Sequence, residues 1–160
     1  MASDDEQAEQ DGRDESRDER LDRNWDELLQ ELRITQTGLQ LLSGFLLTLP
    51  FTQVFPSLDH AQKGLYLGLV VVAGISLGVN MTPVMLHRRL FREHAKERVV
   101  AVGHVAIQVV MAAICVLVVG MGVLIFSVVA SWTAGLLAGL GLAVALGVLL
   151  GVVPQRLDPR

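Results

Sequence analysis

Long apolar stretches without charge alternate with short polar segments along most of the chain. Residues 34–58, 64–86 and 99–155 contain no Asp, Glu, Lys or Arg. A membrane-spanning helix needs about 20 apolar residues, so the third stretch is long enough for two helices, and the polar segment FSVVASWT (126–133) indicates the break. The pattern predicts an all-α, polytopic membrane protein whose core is a bundle of four transmembrane helices. These helices are predicted near residues 34–53, 64–86, 99–127 and 133–153.

The residues before the first span divide into a polar tail and an amphipathic lead-in. Residues 1–24 hold ten acidic residues and four arginines, a net charge of −6. Such a segment buries too little apolar surface to offset the entropy of ordering, which predicts a disordered acidic tail. From Asn24, a predicted N-cap, leucines recur at helical spacing and predict an interfacial helix that continues into the first span. The predicted units are a tail (1–23), a membrane domain (24–153) and a short cytoplasmic tail (154–160).

Charge in the loops predicts the orientation. Residues 25–160 carry nine basic and seven acidic residues, too even a balance for nucleic-acid binding, which needs a clustered basic face. Lys and Arg concentrate in the loop between the second and third spans, and short cytoplasmic loops show this enrichment. The loop residues are Arg88, Arg89, Arg92, Lys96 and Arg98. We therefore expect a multi-pass protein of the inner (cytoplasmic) membrane, in contact with the lipid bilayer, with both termini in the cytoplasm.

Small residues recur every fourth position in the last span. They are Gly135, Gly139, Ala143, Gly147 and Gly151. Small residues at this spacing let two helix backbones approach closely, which favours helix association in lipid. The seam predicts either an interface between copies, giving a homo-oligomer or a larger membrane complex, or packing within one bundle. The second interpretation is slightly favoured, with the glycine face of the second span (Gly64, Gly68, Gly74 and Gly78) as its expected partner.

The first span begins with many polar residues that fall on one stripe. At about 100° per residue, Arg33, Gln36, Thr37, Gln40 and Ser43 share an arc, whereas Thr35 lies outside it. Polar side chains in a membrane usually face the bundle interior, so the stripe predicts a polar layer in the cytoplasmic half of the bundle. The layer residues are Gln36, Gln40, Asn80, His104 and Gln108.

Two interpretations of this layer remain. Its residues could hydrogen-bond the helices together, at about 0.6 kcal/mol per bond. They could also form a site for Na⁺ or H⁺, with His104 as the titratable group. Coupled transporters commonly use carboxylates within the membrane, and the predicted spans contain no Asp or Glu. Hydrogen bonding between helices is therefore favoured.

The sequence offers no pattern typical of catalysis or cofactor binding. A catalytic Ser/His/Asp set, a phosphate-binding loop and a CxxC motif are all missing from it. Asp59 and His60 are adjacent loop residues, which make a poor metal site. We expect no enzymatic activity, no cofactor and no metal.

The stretch NWDELLQELRITQTGLQLLSGFLLTLPF (24–51), together with LHRRLFR (86–92), resembles a family of short, largely actinobacterial membrane proteins of unknown function. The resemblance implies an acidic leader and four spans, and some relatives carry the loose label sodium/proton antiporter. In size and span number the chain is also similar to small multidrug transporters, but it lacks their glutamate in the first helix. We expect a small accessory or structural membrane subunit. The alternatives are a small cation/proton transporter or channel and, less typical for this tail, a holin-like pore former.

Overall fold

The computed structural model describes residues 17–90 and 96–157, and it describes side chains for Arg20 and for residues 23–86 and 100–151. Within these residues the chain forms four α-helices. They are α1 (Arg17–Thr48), α2 (His60–Leu90), α3 (Lys96–Val129) and α4 (Trp132–Leu157). Two 3₁₀ turns, Leu49–Phe51 and Phe55–Ser57, join α1 to α2. The all-α prediction is confirmed, and the predicted tail up to residue 16 lies outside the described residues.

Three helices in the described ranges are long and apolar enough to cross a membrane. The candidate spans are His60–Leu86, Val100–Val129 and Trp132–Gly151. Helix α1 is not among them, because five of the eight side chains from Arg33 to Gln40 are polar or charged. The structure therefore supplies three candidate spans where the sequence predicts four.

Helix α1 is one continuous helix that includes the predicted lead-in. Residues 17–23 are already helical, so the predicted N-cap at Asn24 is wrong. The helix ends at Thr48, earlier than the predicted residue 53, because Pro50 has no N–H to continue the helical bonds. The following 3₁₀ turns pair their own backbone groups: the Thr52 N–H donates to the Leu49 carbonyl at 3.1 Å and the Leu58 N–H to the Phe55 carbonyl at 3.2 Å.

Helices α1, α2 and α3 bury side chains that repeat every three and four residues in turn. In α1 the buried positions include Leu28, Leu32, Thr35, Leu39 and Leu46. In α2 they are Gln62, Tyr66, Leu69, Ala73, Ser76, Asn80 and Pro83. In α3 they include Gly103, Ala106, Val110, Leu117, Gly120, Leu124 and Ser127. A mean spacing of 3.5 residues keeps one face of each helix toward its partners in a left-handed supercoil, so these three helices form the core of the protein.

Helix α4 packs at the edge of this core. Among the described elements it contacts α3 and no other helix. Its buried residues are Gly135 and Gly139, both in its first two turns, while residues 147–151 are exposed. The second half of α4 and the neighbouring faces of α2 and α3 instead line an apolar groove, which includes Leu69, Val119 and Leu150.

Candidate functional site

The five residues of the predicted polar layer differ in how far they are buried. Asn80 is buried at 1% exposure and Gln36 is half-buried, whereas Gln40, His104 and Gln108 are exposed. The outward position of Gln40 follows from the packing of α1. The leucine face of α1 packs into the core. Most of the polar stripe lies on the adjoining face of α1 and therefore points away from α2 and α3.

The polar group that does meet Asn80 is Thr35. The Thr35 hydroxyl lies 3.3 Å from Asn80 Oδ1 and 3.0 Å from the carbonyl oxygens of Glu31 and Leu32. Thr35 is 8% exposed, so the pair is enclosed between α1 and α2. A hydroxyl carries one proton and can donate it to only one of these three acceptors. Thr35 therefore has a main-chain partner available even without Asn80.

The Asn80 amide has an open hydrogen-bonding position. Its Nδ2 is buried and has no hydrogen-bond partner among the described residues, and the same holds for Ser43 Oγ on α1. Rotating the amide by 180° would let Nδ2 donate to the Thr35 hydroxyl, but Oδ1 would then take the unpaired position. One turn further along α2, Pro83 is buried and has no N–H for the Val79 carbonyl.

Thr35 is not among the residues of the predicted polar layer, because that prediction rests on polar residues that share one arc of the helix. Thr35 lies outside that arc and inside the leucine repeat, between Leu32 and Leu39. A spacing of three and four residues through Leu28, Leu32, Thr35 and Leu39 is the signal that would have placed it on the buried face. Polar residues at such positions are known to fix the register of packed helices.

A second polar cluster joins three helix ends at the opposite end of the bundle. We call Asp59, Gln62, Ser127 and Trp132 the end cluster. Asp59 and Gln62 form a capping box at the start of α2: the Gln62 N–H donates to Asp59 Oδ1 at 2.8 Å, and the Asp59 N–H donates to Gln62 Oε1 at 3.0 Å. Asp59 is therefore the N-cap of α2 and His60 is the first residue of that helix, whereas the sequence pattern predicts both in a loop.

The other two residues of the end cluster connect α2 to α3 and α4. Gln62 Nε2 donates to Ser127 Oγ at 3.3 Å, and that hydroxyl donates to the Leu124 carbonyl at 2.8 Å. Trp132 Nε1, in the first residue of α4, donates to Asp59 Oδ2 at 2.9 Å. The Asp59 carboxylate therefore uses one oxygen to cap α2 and the other to hold the start of α4.

The hydrogen bonds of the end cluster lower the pKa of Asp59. The Gln62 N–H contributes most and Trp132 next, so the pKa lies below the ordinary value of 3.8. Because the pKa is lowered on folding, the ionised carboxylate stabilises the fold at pH values above 3.8, and this stabilisation is lost as the pH falls through the folded-state pKa.

We expect an Asp59→Asn variant to have a lower melting temperature than the wild type at neutral pH. Asparagine also caps helices well, so the difference reports mainly the charge. Melting curves in detergent from neutral pH to below 3.8 should show the two temperatures converging at the acid end, where both side chains are neutral. A constant difference over the whole range would contradict the assignment.

A comparison with known protein families identifies the family of this chain. The model of a family of unknown function, DUF6328, matches residues 14–154. The chain belongs to the DUF6328 family. No curated protein and no solved structure matches it. The match covers α1 to α3 completely and α4 as far as Pro154, so the core and the end cluster both lie in the DUF6328 region.

Within this DUF6328 fold, the small residues of α4 do not share one partner. Gly135 and Gly139 pack against Val123 of α3. Ala143, Gly147 and Gly151 are exposed. A residue spacing of four advances about 40° around a helix of 3.6 residues per turn, so the seam turns away from α3 along its length.

The expected pairing of α4 with the glycine face of α2 is wrong. The four α2 glycines are exposed, and a Cβ on any of them would meet nothing within 4 Å in the described structure. They lie opposite the buried face of α2. The close approaches in the core instead involve α3, where Gly103 lies against Leu28 and Gly120 against Leu69.

The predicted basic loop lies at the junction of α2 and α3. Arg88 and Arg89 belong to the last turn of α2, and Lys96 and Arg98 to the first turn of α3. Their side chains, and all of Arg92, lie outside the described residues. The backbone places this junction at the end of the bundle opposite the end cluster, since α2 begins beside Asp59 and ends at Leu90.

Proposed function

We propose that the chain is a small, non-enzymatic subunit of the inner membrane that acts as an accessory or structural component. One observation carries this proposal. The buried polar side chains of the described residues are Thr35, Ser43, Gln62, Ser76, Asn80 and Ser127. All six are uncharged, and several bond one helix to another or to its own backbone. An interior of this kind favours a fixed helix assembly over proton movement, which needs titratable groups.

The proposal includes four spans, with both termini in the cytoplasm. Residues 34–48 of α1 run beside the apolar segments of α2 and α3, because Leu39 and Leu46 belong to one core cluster with Leu69 and Leu117. The 3₁₀ turns after Thr48 then continue toward the end cluster. Hydroxyls there bond locally, with Thr52 donating to the Leu49 carbonyl and Ser57 to the Val54 carbonyl, both at 2.7 Å. Internally bonded backbone is what a membrane requires.

A second candidate function is transport of a small cation, and the Thr35–Asn80 pair is the observation that favours it. An amide oxygen and a hydroxyl oxygen are hard ligands that suit Na⁺, and rotating the Asn80 amide by 180° would turn Oδ1 into the buried position that has no partner among the described residues. A proton would find no ionisable acceptor in the pair, so the candidate ion is Na⁺ rather than H⁺. This site replaces the predicted one, because Gln40 and His104 are exposed.

Flux measurements separate the two functions. The purified protein is reconstituted into liposomes that contain a Na⁺-sensitive dye and a pH-sensitive dye, and a Na⁺ or K⁺ gradient is imposed. We expect no change above empty vesicles. Flux that Asn80→Leu abolishes, and that the Gln40→Ala/His104→Ala control retains, would overturn the structural proposal in favour of Na⁺ transport through the Thr35–Asn80 level.

A further inference from the structure

Helix α1 carries a second repeat of three- and four-residue spacing on its exposed surface. We call this set the outer seam. Its residues are Asp26, Gln30, Arg33, Thr37, Gln40, Gly44 and Leu47. All seven are exposed, and their spacing matches that of the leucine face that packs into the core. Two helices that pack side by side need this spacing on their facing surfaces, so α1 has the pattern of a helix with partners on two sides.

The middle of the outer seam lies at the depth of the apolar core. Gln40 directly follows Leu39 in the chain, and Gly44 lies between Gln40 and Leu46. Leu39 and Leu46 both contact the cluster that contains Leu69 and Leu117. If α1 crosses the bilayer as proposed above, the Gln40 amide faces hydrocarbon, where lipid offers it neither a donor nor an acceptor. Polar side chains in this position almost always face protein or water.

We infer that the outer seam binds a second copy of this chain, so that the two α1 helices pack in parallel about a two-fold axis. The chemistry favours a copy of the same helix. A glutamine amide is both donor and acceptor, so two Gln40 side chains across a two-fold axis satisfy each other, as an isologous interface requires. Thr37 and Gly44 lie one turn before and after Gln40, and their small side chains allow the close approach that such a pair needs.

The lower part of the outer seam is compatible with this arrangement. Arg33 marks the start of the uncharged stretch, and its long side chain can place its charge in water at the membrane edge. Asp26 and Arg33 lie seven residues apart on the outer seam. They carry opposite charges, and the neutral Gln30 lies between them. In a parallel pair about a two-fold axis these charges face the same charges of the second copy, so they contribute no attraction, and water at the membrane edge screens their repulsion.

The inference is tested by disulfide cross-linking in native membranes. The background is Cys115→Ala, which removes the chain's one cysteine. Single cysteines replace Gln40 or Gly44 in the outer seam. As controls they replace Leu41 or Phe45, which are also exposed but lie on the other flank of α1. Disulfides need Cα atoms within about 7 Å. We expect Gln40→Cys and Gly44→Cys to shift to twice the 17.4 kDa chain mass on oxidation, and both controls to stay monomeric.

Other cross-linking patterns would overturn the inference. They include dimers formed through Leu41→Cys or Phe45→Cys alone, a cross-linked product of a different mass, and monomers at every position. A second variant tests the chemistry directly. Adding Gln40→Leu to the Gly44→Cys chain should reduce the dimer, while Gln40→Asn, which keeps the amide, should retain more of it. Equal amounts of cross-linked dimer in the Gln40→Leu and Gln40→Asn chains would show that the amide does not stabilise the interface.

The inference rests on the proposed membrane crossing of α1, and labelling distinguishes the two failures. A membrane-impermeant maleimide should label Gln40→Cys only after the membrane is dissolved, because the reactive thiolate needs water. Free labelling in intact membranes from either side would show that Gln40 does not lie within the bilayer, which would overturn both the membrane crossing of α1 and the interface. Protection from labelling without any cross-link would leave the crossing in place and overturn the interface alone.

Discussion

Replacing Gly135 by alanine is expected to destabilise the protein, whereas the same replacement at Gly147 is expected to leave it unchanged or slightly more stable. Both glycines belong to the small-residue seam of α4 and differ by three steps of four residues. They differ in their surroundings, since Gly135 is buried against α3 and Gly147 is exposed. Because both variants replace glycine by alanine, the difference between their stabilities reports the close contact of α4 with α3 at Gly135.

The expected cost at Gly135 comes from contact with main-chain atoms. An ideal Cβ there would lie 2.7 Å from the Val123 carbonyl oxygen and 3.1 Å from both the backbone nitrogen and the Cβ of Ser127. Backbone atoms in a helix cannot rotate away, so the two helices must separate. Overpacking of this kind typically costs about 1–3 kcal/mol. At Gly147 a Cβ meets nothing within 4 Å in the described structure. Alanine there changes only the helix propensity, which stabilises the helix by up to about 1 kcal/mol relative to glycine.

Thermal unfolding of the two variants in the same detergent is the measurement. We expect Gly135→Ala to melt below the wild type and Gly147→Ala at or above it. A Gly135→Ala chain as stable as Gly147→Ala would mean that α4 does not cross α3 at Gly135. The reverse order would place the packed part of the seam in the second half of α4.

Replacing Thr35 by valine is expected to cost more stability than replacing Asn80 by leucine, although the two side chains form one pair. The asymmetry follows from their other partners. Without Asn80, the Thr35 hydroxyl still donates to a carbonyl of its own helix at 3.0 Å. Without Thr35, the Asn80 amide has no partner left among the described residues, and an unsatisfied buried polar group costs roughly 1–3 kcal/mol.

The measurement is a double-mutant cycle on unfolding free energies. We expect Thr35→Val to lose roughly 1–2 kcal/mol, Asn80→Leu to be near neutral, and the double variant to recover most of the loss. Thr37→Val is the matched control, because the Thr37 hydroxyl is exposed and bonds only the Arg33 carbonyl at 2.9 Å. Equal losses at Thr35 and Thr37, or no recovery in the double variant, would contradict the pairing.

Hydropathy was sufficient to predict the helices, but it could not identify which face of α1 is buried. The uncharged runs predict α2, α3 and α4 within a few residues, because a helix without charge over more than 18 residues has few other environments. In α1, two repeats compete, one of leucines and one of polar residues. The rule that membrane polarity faces inward assigns the polar stripe to the core. The core instead takes Leu28, Leu32, Leu39 and Leu46, each at most 4% exposed.

Contacts between residues that are distant in the chain could not be predicted from the sequence either. Asp59 and Trp132 are 73 residues apart, and Thr35 and Asn80 are 45 apart. No local pattern links either pair, and with no charged partner in the spans there was no electrostatic reason to join them. The capping box could have been found, since an acceptor at Asp59 followed three residues later by Gln62 directly precedes an apolar run.

The attachment of α4 has a consequence for how the protein is made. Helix α4 is synthesised after the other three described helices, and of these it shares an interface with α3 alone. The buried faces of α1, α2 and α3 can therefore be complete before α4 leaves the ribosome. Because α4 follows α3 after two residues and docks on α3 through contacts such as Gly139 with Val123 and Leu142 with Gly122, its arrival closes the fold by a local step rather than by a rearrangement of the core.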